Sequence, residues 1–129
     1  ILDSGSYTGT GTTLSSPYSS ITITPKSTNS KFLINVSAVV SNGSSPGVAI
    51  SGLYKDSTAL IEKFSSIEAT QWDAIPQSAT YLDSAGSLTS RTYSVKIKGS
   101  EAGSQWWMNQ NPTGVYTATS SMTILEIAY

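Results

Sequence analysis

Lys31-Phe32-Leu33-Ile34-Asn35-Val36-Ser37-Ala38-Val39-Val40 is the stretch that decides the fold class. Side chains on a strand alternate between faces, so Phe32, Ile34, Val36, Ala38 and Val40 share one side. Leu33 and Val39 lie on the other with Asn35 and Ser37. The same period recurs on both flanks. Ser20-Ile21-Thr22-Ile23-Thr24 alternates and stops at Pro25, which has no N–H for a central ladder. Val48, Ile50 and Tyr54 share a face, with Gly52 marking a bulge or close packing. Lys55-Asp56-Ser57-Thr58 reads as a hairpin turn, and residues 59–64 return. Tyr93, Val95 and Ile97 alternate with Ser94, Lys96 and Lys98. Further short strands are expected at 78–82, 106–108, 115–118 and 122–129. Turn signals at 42–47, 83–90, 99–105 and 109–114 separate them, and 65–76 reads mainly as a loop. No segment of helical length carries an i, i+3, i+4, i+7 apolar stripe. About eight to ten short strands between turns predict an all-β domain, as a sandwich, jelly roll or barrel.

Composition narrows the chemistry. The chain has 129 residues, enough for one domain with its own core. It contains no histidine and no cysteine. That excludes His-dependent triads, the HExxH zinc motif, thiol nucleophiles, disulfides and Cys-based metal sites. Charged residues make up 12%, about half the usual share, and net charge is −1. Nucleic acid is therefore not an expected partner, because phosphate binding needs a clustered basic patch. No apolar run reaches transmembrane length, so no membrane insertion is expected. Residues 1–19, rich in Gly, Ser and Thr, read as a lead-in arm or an edge strand ahead of a head at 20–129. The chain starts at Ile1, and we expect it to be part of a longer protein.

The last strand departs from the one-wet-face pattern. Met122 and Ile124 point one way, whereas Leu125, Ile127 and Tyr129 point the other. Either a loop covers the second apolar face, or neighbouring subunits do.

Three stretches carry a family resemblance. Residues 20–34, Ser-Ile-Thr-Ile-Thr-Pro-Lys-Ser-Thr-Asn-Ser-Lys-Phe-Leu-Ile, resemble the ITPtSatSKLkI opening of a domain common in tail-fibre and other structural proteins of tailed phages, marine ones especially. Leu53-Tyr54-Lys55-Asp56-Ser57-Thr58 resembles its LFqDST hairpin, and Ser121-Met122-Thr123-Ile124-Leu125-Glu126-Ile127 its S-x-I-x-I-x-E carboxyl end. Leu82-Asp83-Ser84 and Thr92-Tyr93-Ser94-Val95-Lys96 match its middle more loosely. The resemblance implies an antiparallel C1q/TNF-like jelly roll. It implies a homotrimer at a fibre tip outside the host cell, joined to an upstream shaft, with a bacterial surface receptor, often a polysaccharide, as partner. It implies no catalytic residue and no cofactor. In such a trimer Met122 and Ile124 face the sandwich core, and Leu125, Ile127 and Tyr129 face partner subunits. Glu126 is then expected at a rim or beside a lysine, since an isolated buried carboxylate is costly.

Candidate ligand residues sit where the chain departs from the family pattern. Trp106 and Trp107 are adjacent, so on a strand one faces inward and one outward. An outward indole offers a flat apolar surface to a sugar face. Asn109, Gln110, Asn111 and Thr113 follow with hydrogen-bonding groups, and Tyr116 is amphipathic. Trp72, with Gln71 and Asp73, forms a second such loop. Each indole also has an interior-packing reading. Tyr81 reads as core. Hydrolysis of a polysaccharide would need two carboxylates about 5–10 Å apart, and Glu68, Asp73 and Glu101 are the loop acids from which to draw them. Asp56 and Asp83, in expected turns, read as backbone caps in preference to Ca²⁺ ligands, so no metal is expected. The expected role is receptor binding by a non-enzymatic head. The alternatives are a structural virion module, a polysaccharide-degrading tip and, more distantly, a cellular C1q-like secreted domain.

Overall fold

A computed structural model describes residues 1–15, 18–44, 47–67, 74–110, 113–115 and 117–128; at 43–44 and 64–67 it describes the backbone alone. The described residues form β1 (Leu2–Asp3), β2 (Tyr7–Thr10), β3 (Tyr18–Ile23), β4 (Lys31–Ser44), β5 (Ala49–Lys55), β6 (Thr58–Ile67), β7 (Ile75–Ser84), β8 (Arg91–Gly99), β9 (Gln105–Met108) and β10 (Ser120–Ile127), with no helix among them. The strands make two antiparallel sheets. One has six strands in the order β1-β10-β4-β9-β2, with β7 on β4; the other has four in the order β3-β8-β5-β6.

The alternation read from residues 31–40 builds the core. Phe32, Ile34, Ala38 and Val40 are fully buried, and Val36 nearly so. Opposite them the four-stranded sheet supplies Leu53, Tyr93, Val95 and Ile97, and β10 adds Met122. Each face is a period-two set, and facing the sheets removes both sets from water together. Tyr81 and Ile124 pack partly buried against the cluster.

Pairing is nested. β1 pairs with β10, β3 with β8, β4 with β7 and β5 with β6, all antiparallel. The arm at the start of the chain joins the larger sheet through β1 on β10 and β2 on β9, so its strands are edge strands.

Several expectations are corrected. β4 continues to Ser44, through the Asn42-Gly43 turn signal, because β9 pairs with it there. The register shifts between Asn42 and Ser44, and Asn42 turns inward with its amide donating to the Gly47 carbonyl. β7 extends through Asp83 and Ser84, which the sequence reading placed in a turn. Pro76 lies inside β7, tolerated because among the described strands β7 pairs on one side alone, with β4. Among the described residues of 115–118, where a strand was expected, there is one isolated bridge, Gln110 to Thr117. Gly52 stands at a bulge, as expected, with register shifts on both sides of Leu53. A Cβ at Gly52 would lie 2.8 Å from the Glu62 carbonyl, so the close strand approach requires glycine.

The register makes opposite predictions for two β4 residues. Phe32→Ala removes a fully buried ring and is expected to lower unfolding free energy by about 3–5 kcal/mol. Asn35→Ala, on the exposed face, is expected to change it by about 0.5 kcal/mol or less. Urea titrations followed by circular dichroism measure both; equal costs would contradict this facing.

Candidate functional site

The last strand sends its two faces to different environments. Met122 is fully buried and Ile124 packs on the core, whereas Leu125 is 57% exposed. Leu125 is not alone. In register, β10 sets Leu125 beside Leu33 of β4, and β4 sets Leu33 beside Leu82 of β7, itself 51% exposed. Three leucines thus form a row across three strands on the outer face of the six-stranded sheet. Half-buried Ile127 stands beside the row, opposite Lys31. Going away from this end, the outer positions are Asn35, Thr80 and Thr123, then Ser37, Ser78 and Ser121. Thr80 donates to the Asn35 amide oxygen at 2.9 Å. Among the described residues of β4, β7 and β10, Lys31 is the one ionic side chain on this face. Leu33 and Leu82 escaped the sequence reading as site residues. The signal was present in the second face of residues 31–40, but the row exists only through pairing.

Glu126 shares the inward side of β10 and emerges at its rim. Its carboxylate accepts the Lys26 N–H at 2.7 Å. The Ser30 hydroxyl and this N–H hold its pKa below the ordinary glutamate value. The partner is a backbone N–H of Lys26, in place of the lysine side-chain pairing that was one of the two expectations.

The tryptophan pair splits as alternation requires. Trp106 is buried, edge-on to Tyr18 at 5.7 Å, and Trp107 is half-buried on the outer face opposite Ser41 and Thr8. Trp106 lies so close over Gly9 that a Cβ there would sit 2.2 Å from the indole. Asn109 is also inside, fully buried with φ near 60°, a left-handed conformation that asparagine tolerates. Its amide donates to the Asp3 and Gly5 carbonyls at 2.8 and 2.9 Å, and Ser120 donates to its oxygen. Trp106 and Asn109 therefore face the interior and fasten the arm, where the sequence reading had them as ligand contacts. Trp107 is the one of these three that reaches the surface. Thr113 is exposed. Trp72, Asp73, Asn111, Tyr116 and Tyr129 lie outside the described residues, as do Gln71 and Glu68.

Ionic chemistry gathers elsewhere. β7 turns Asp83 inward from one sheet; β5 and β8 bring Lys55, Arg91 and Tyr93 from the other. Tyr93 donates to Asp83 Oδ2 at 2.7 Å, Lys55 Nζ lies 3.0 Å from that oxygen and 3.1 Å from Oδ1, and Arg91 Nη1 is at 3.9 Å. Burial, then the hydrogen bond to Asp83, push the Tyr93 phenol well above its usual pKa. Two cations and a phenol around one carboxylate form a clasp between the sheets. Asp56 caps backbone, accepting the Thr92 N–H at 2.9 Å. Among the described residues no group of three or more acids, cysteines or histidines converges as a metal site.

The clasp predicts an alkaline response. A raised phenol pKa keeps Tyr93 protonated in the fold, so its contribution to stability is complete below about pH 10, where an unfolded tyrosine ionises, and declines as pH rises from there. Urea midpoints measured from pH 8 to 11 are expected to fall less steeply in Tyr93→Phe than in the parent, because one coupled proton has been removed. An identical slope would contradict this role.

No model of a known protein family matches this chain, and a search of curated proteins likewise returns no match.

Proposed function

We propose that this chain is the self-associating jelly-roll head of a phage tail fibre, threefold, which adheres to a receptor on the host surface. The observation that carries the reading is the leucine row Leu82–Leu33–Leu125 with Ile127 beside it. Exposed leucines scattered singly need no explanation, but a row in register across adjacent strands is a contiguous apolar surface. Its surroundings are serine, threonine and asparagine, with Lys31 at one end. Copies of such a face do not repel one another, and burying it removes no unpaired carboxylate from water. A second and third copy of this chain are therefore the occupants it suits.

Topology supports the jelly-roll part. Setting aside the short β2 and β9, the remaining strands counted in chain order run 1-8-3-6 in one sheet and 2-7-4-5 in the other. That is one long antiparallel hairpin of four nested pairs rolled over on itself. The motif resemblance in residues 20–34, 53–58 and 121–127 supports the fibre and receptor parts. Weak contacts by each head would be multiplied by threefold presentation on a shaft.

Light scattering on the purified chain at micromolar concentration is expected to give the mass of a trimer. The double variant Leu33→Asp, Leu125→Asp places charges in the row and is expected to give a monomer with unchanged far-ultraviolet dichroism. A monomeric parent chain overturns the self-association. Labelled parent trimer is expected to bind host cells, and Trp107→Ala is expected to weaken that binding if the surface indole among the described residues takes part. A trimer that binds no cells would favour a structural head over an adhesive one.

A further inference from the structure

A cleft of about 260 Å³ opens between the β5–β6 turn and the loop at 85–90. Lys55, Asp56, Ser87, Thr89, Ser90 and Arg91 line it. We propose that this cleft is a monosaccharide subsite, which takes one neutral sugar ring of a surface glycan; the proposal rests on the receptor-binding reading above.

The walls are fixed before any ligand arrives. Arg91 is 7% exposed, sits over the Phe32 ring, and donates to the carbonyls of Ser84, Ser87 and Thr89 at 3.2, 3.1 and 3.4 Å. It therefore holds the loop from within. Ala85 and Gly86 tie the same loop to the carbonyls of Ser30 and Thr28. Asp56 and Thr92 exchange hydrogen bonds, which sets the position of the turn. A preformed site loses less ordering entropy on binding than a mobile loop would.

The lining selects the class of ligand. Lys55 and Arg91 already face Asp83, and Asp56 adds a second carboxylate. The charges cancel, so the cleft has no net positive field to hold a phosphate or another strong anion. It offers an ammonium, a carboxylate and the hydroxyls of Ser87, Thr89 and Ser90 within one concavity. A sugar diol donates to the carboxylate and accepts from the ammonium and hydroxyls, and carries no charge of its own to desolvate. The volume lies below the range of about 300–1,000 Å³ typical for larger ligands, which limits the occupant to about one ring.

Amide-resolved NMR titration of the intact chain tests this, with methyl glycosides of glucose, galactose, mannose and N-acetylglucosamine as probes. At least one is expected to shift the amides of residues 56 and 87–92 saturably at millimolar concentration. Ser90→Tyr fills the cleft from an exposed position, and Asp56→Asn keeps the backbone cap while removing the charge. Each is expected to weaken that glycoside by about tenfold or more, with the rest of the spectrum unchanged. No shift at these amides with any of the four glycosides overturns the subsite, as does unchanged affinity in Ser90→Tyr. Cell binding separates the two readings. If Ser90→Tyr trimers still bind host cells as well as the parent does, the receptor reading stands and this cleft is not its site. If the parent trimer binds no cells, the receptor reading fails, and the titration alone decides the cleft.

Discussion

One strand constrains the rest of the molecule. β4 spans 14 residues and exchanges hydrogen bonds with β10, β7 and β9. Its inward positions carry Phe32, Ile34, Val36, Ala38 and Val40, and these admit one facing. A slip of one residue would expose the whole set to water and bury Asn35 and Ser37 in its place. Every partner inherits that choice. Leu82 and Leu125 face outward because they are opposite Leu33, and Met122 faces inward because it is opposite Val36.

The interior is not wholly apolar, and its polar groups sit where elements distant in sequence must meet. Asp83, Lys55, Arg91 and Tyr93 join the sheets near one end. Asn109, Asp3, Gly5 and Ser120 join the arm to β10 and the segment that follows β9. Such groups contribute little net stability once desolvation is counted, but leaving one unpaired is expensive. Their effect is therefore to penalise alternative packings, in which a carboxylate or an amide would lose its partners.

The two proposed contact surfaces have different characters because they are built differently. The leucine row lies on a regular sheet, where pairing sets side chains from three strands side by side. The cleft lies between a turn and a loop, where Arg91 spends its donors on backbone carbonyls and shapes a concavity. On the proposed trimer the two would be coupled, since threefold presentation through the first surface would multiply weak binding by the second.

Much of this was legible in the residues. Period-two patterning at 20–24, 31–40 and 93–98 announced the strands; Gly52 announced its bulge; the adjacent indoles announced opposite faces; and the missing histidine and cysteine removed whole classes of chemistry. Those features are local, and strand alternation depends on nothing beyond neighbouring residues. Other features were not legible. Asn42-Gly43 signals a turn, yet β4 continues through it because β9 supplies partners. Asp83 resembles a turn cap, yet it is buried because Lys55 and Arg91 arrive from the other sheet. Asn109 reads as a surface amide, yet the arm's carbonyls draw it inside. In each case the deciding partner lies far away in the chain, so tertiary pairing alone could choose. The sequence by itself determined an all-β chain with two-faced strands. Only the tertiary structure decided which apolar residues became core and which, like Leu33, Leu82 and Leu125, were left together on the surface.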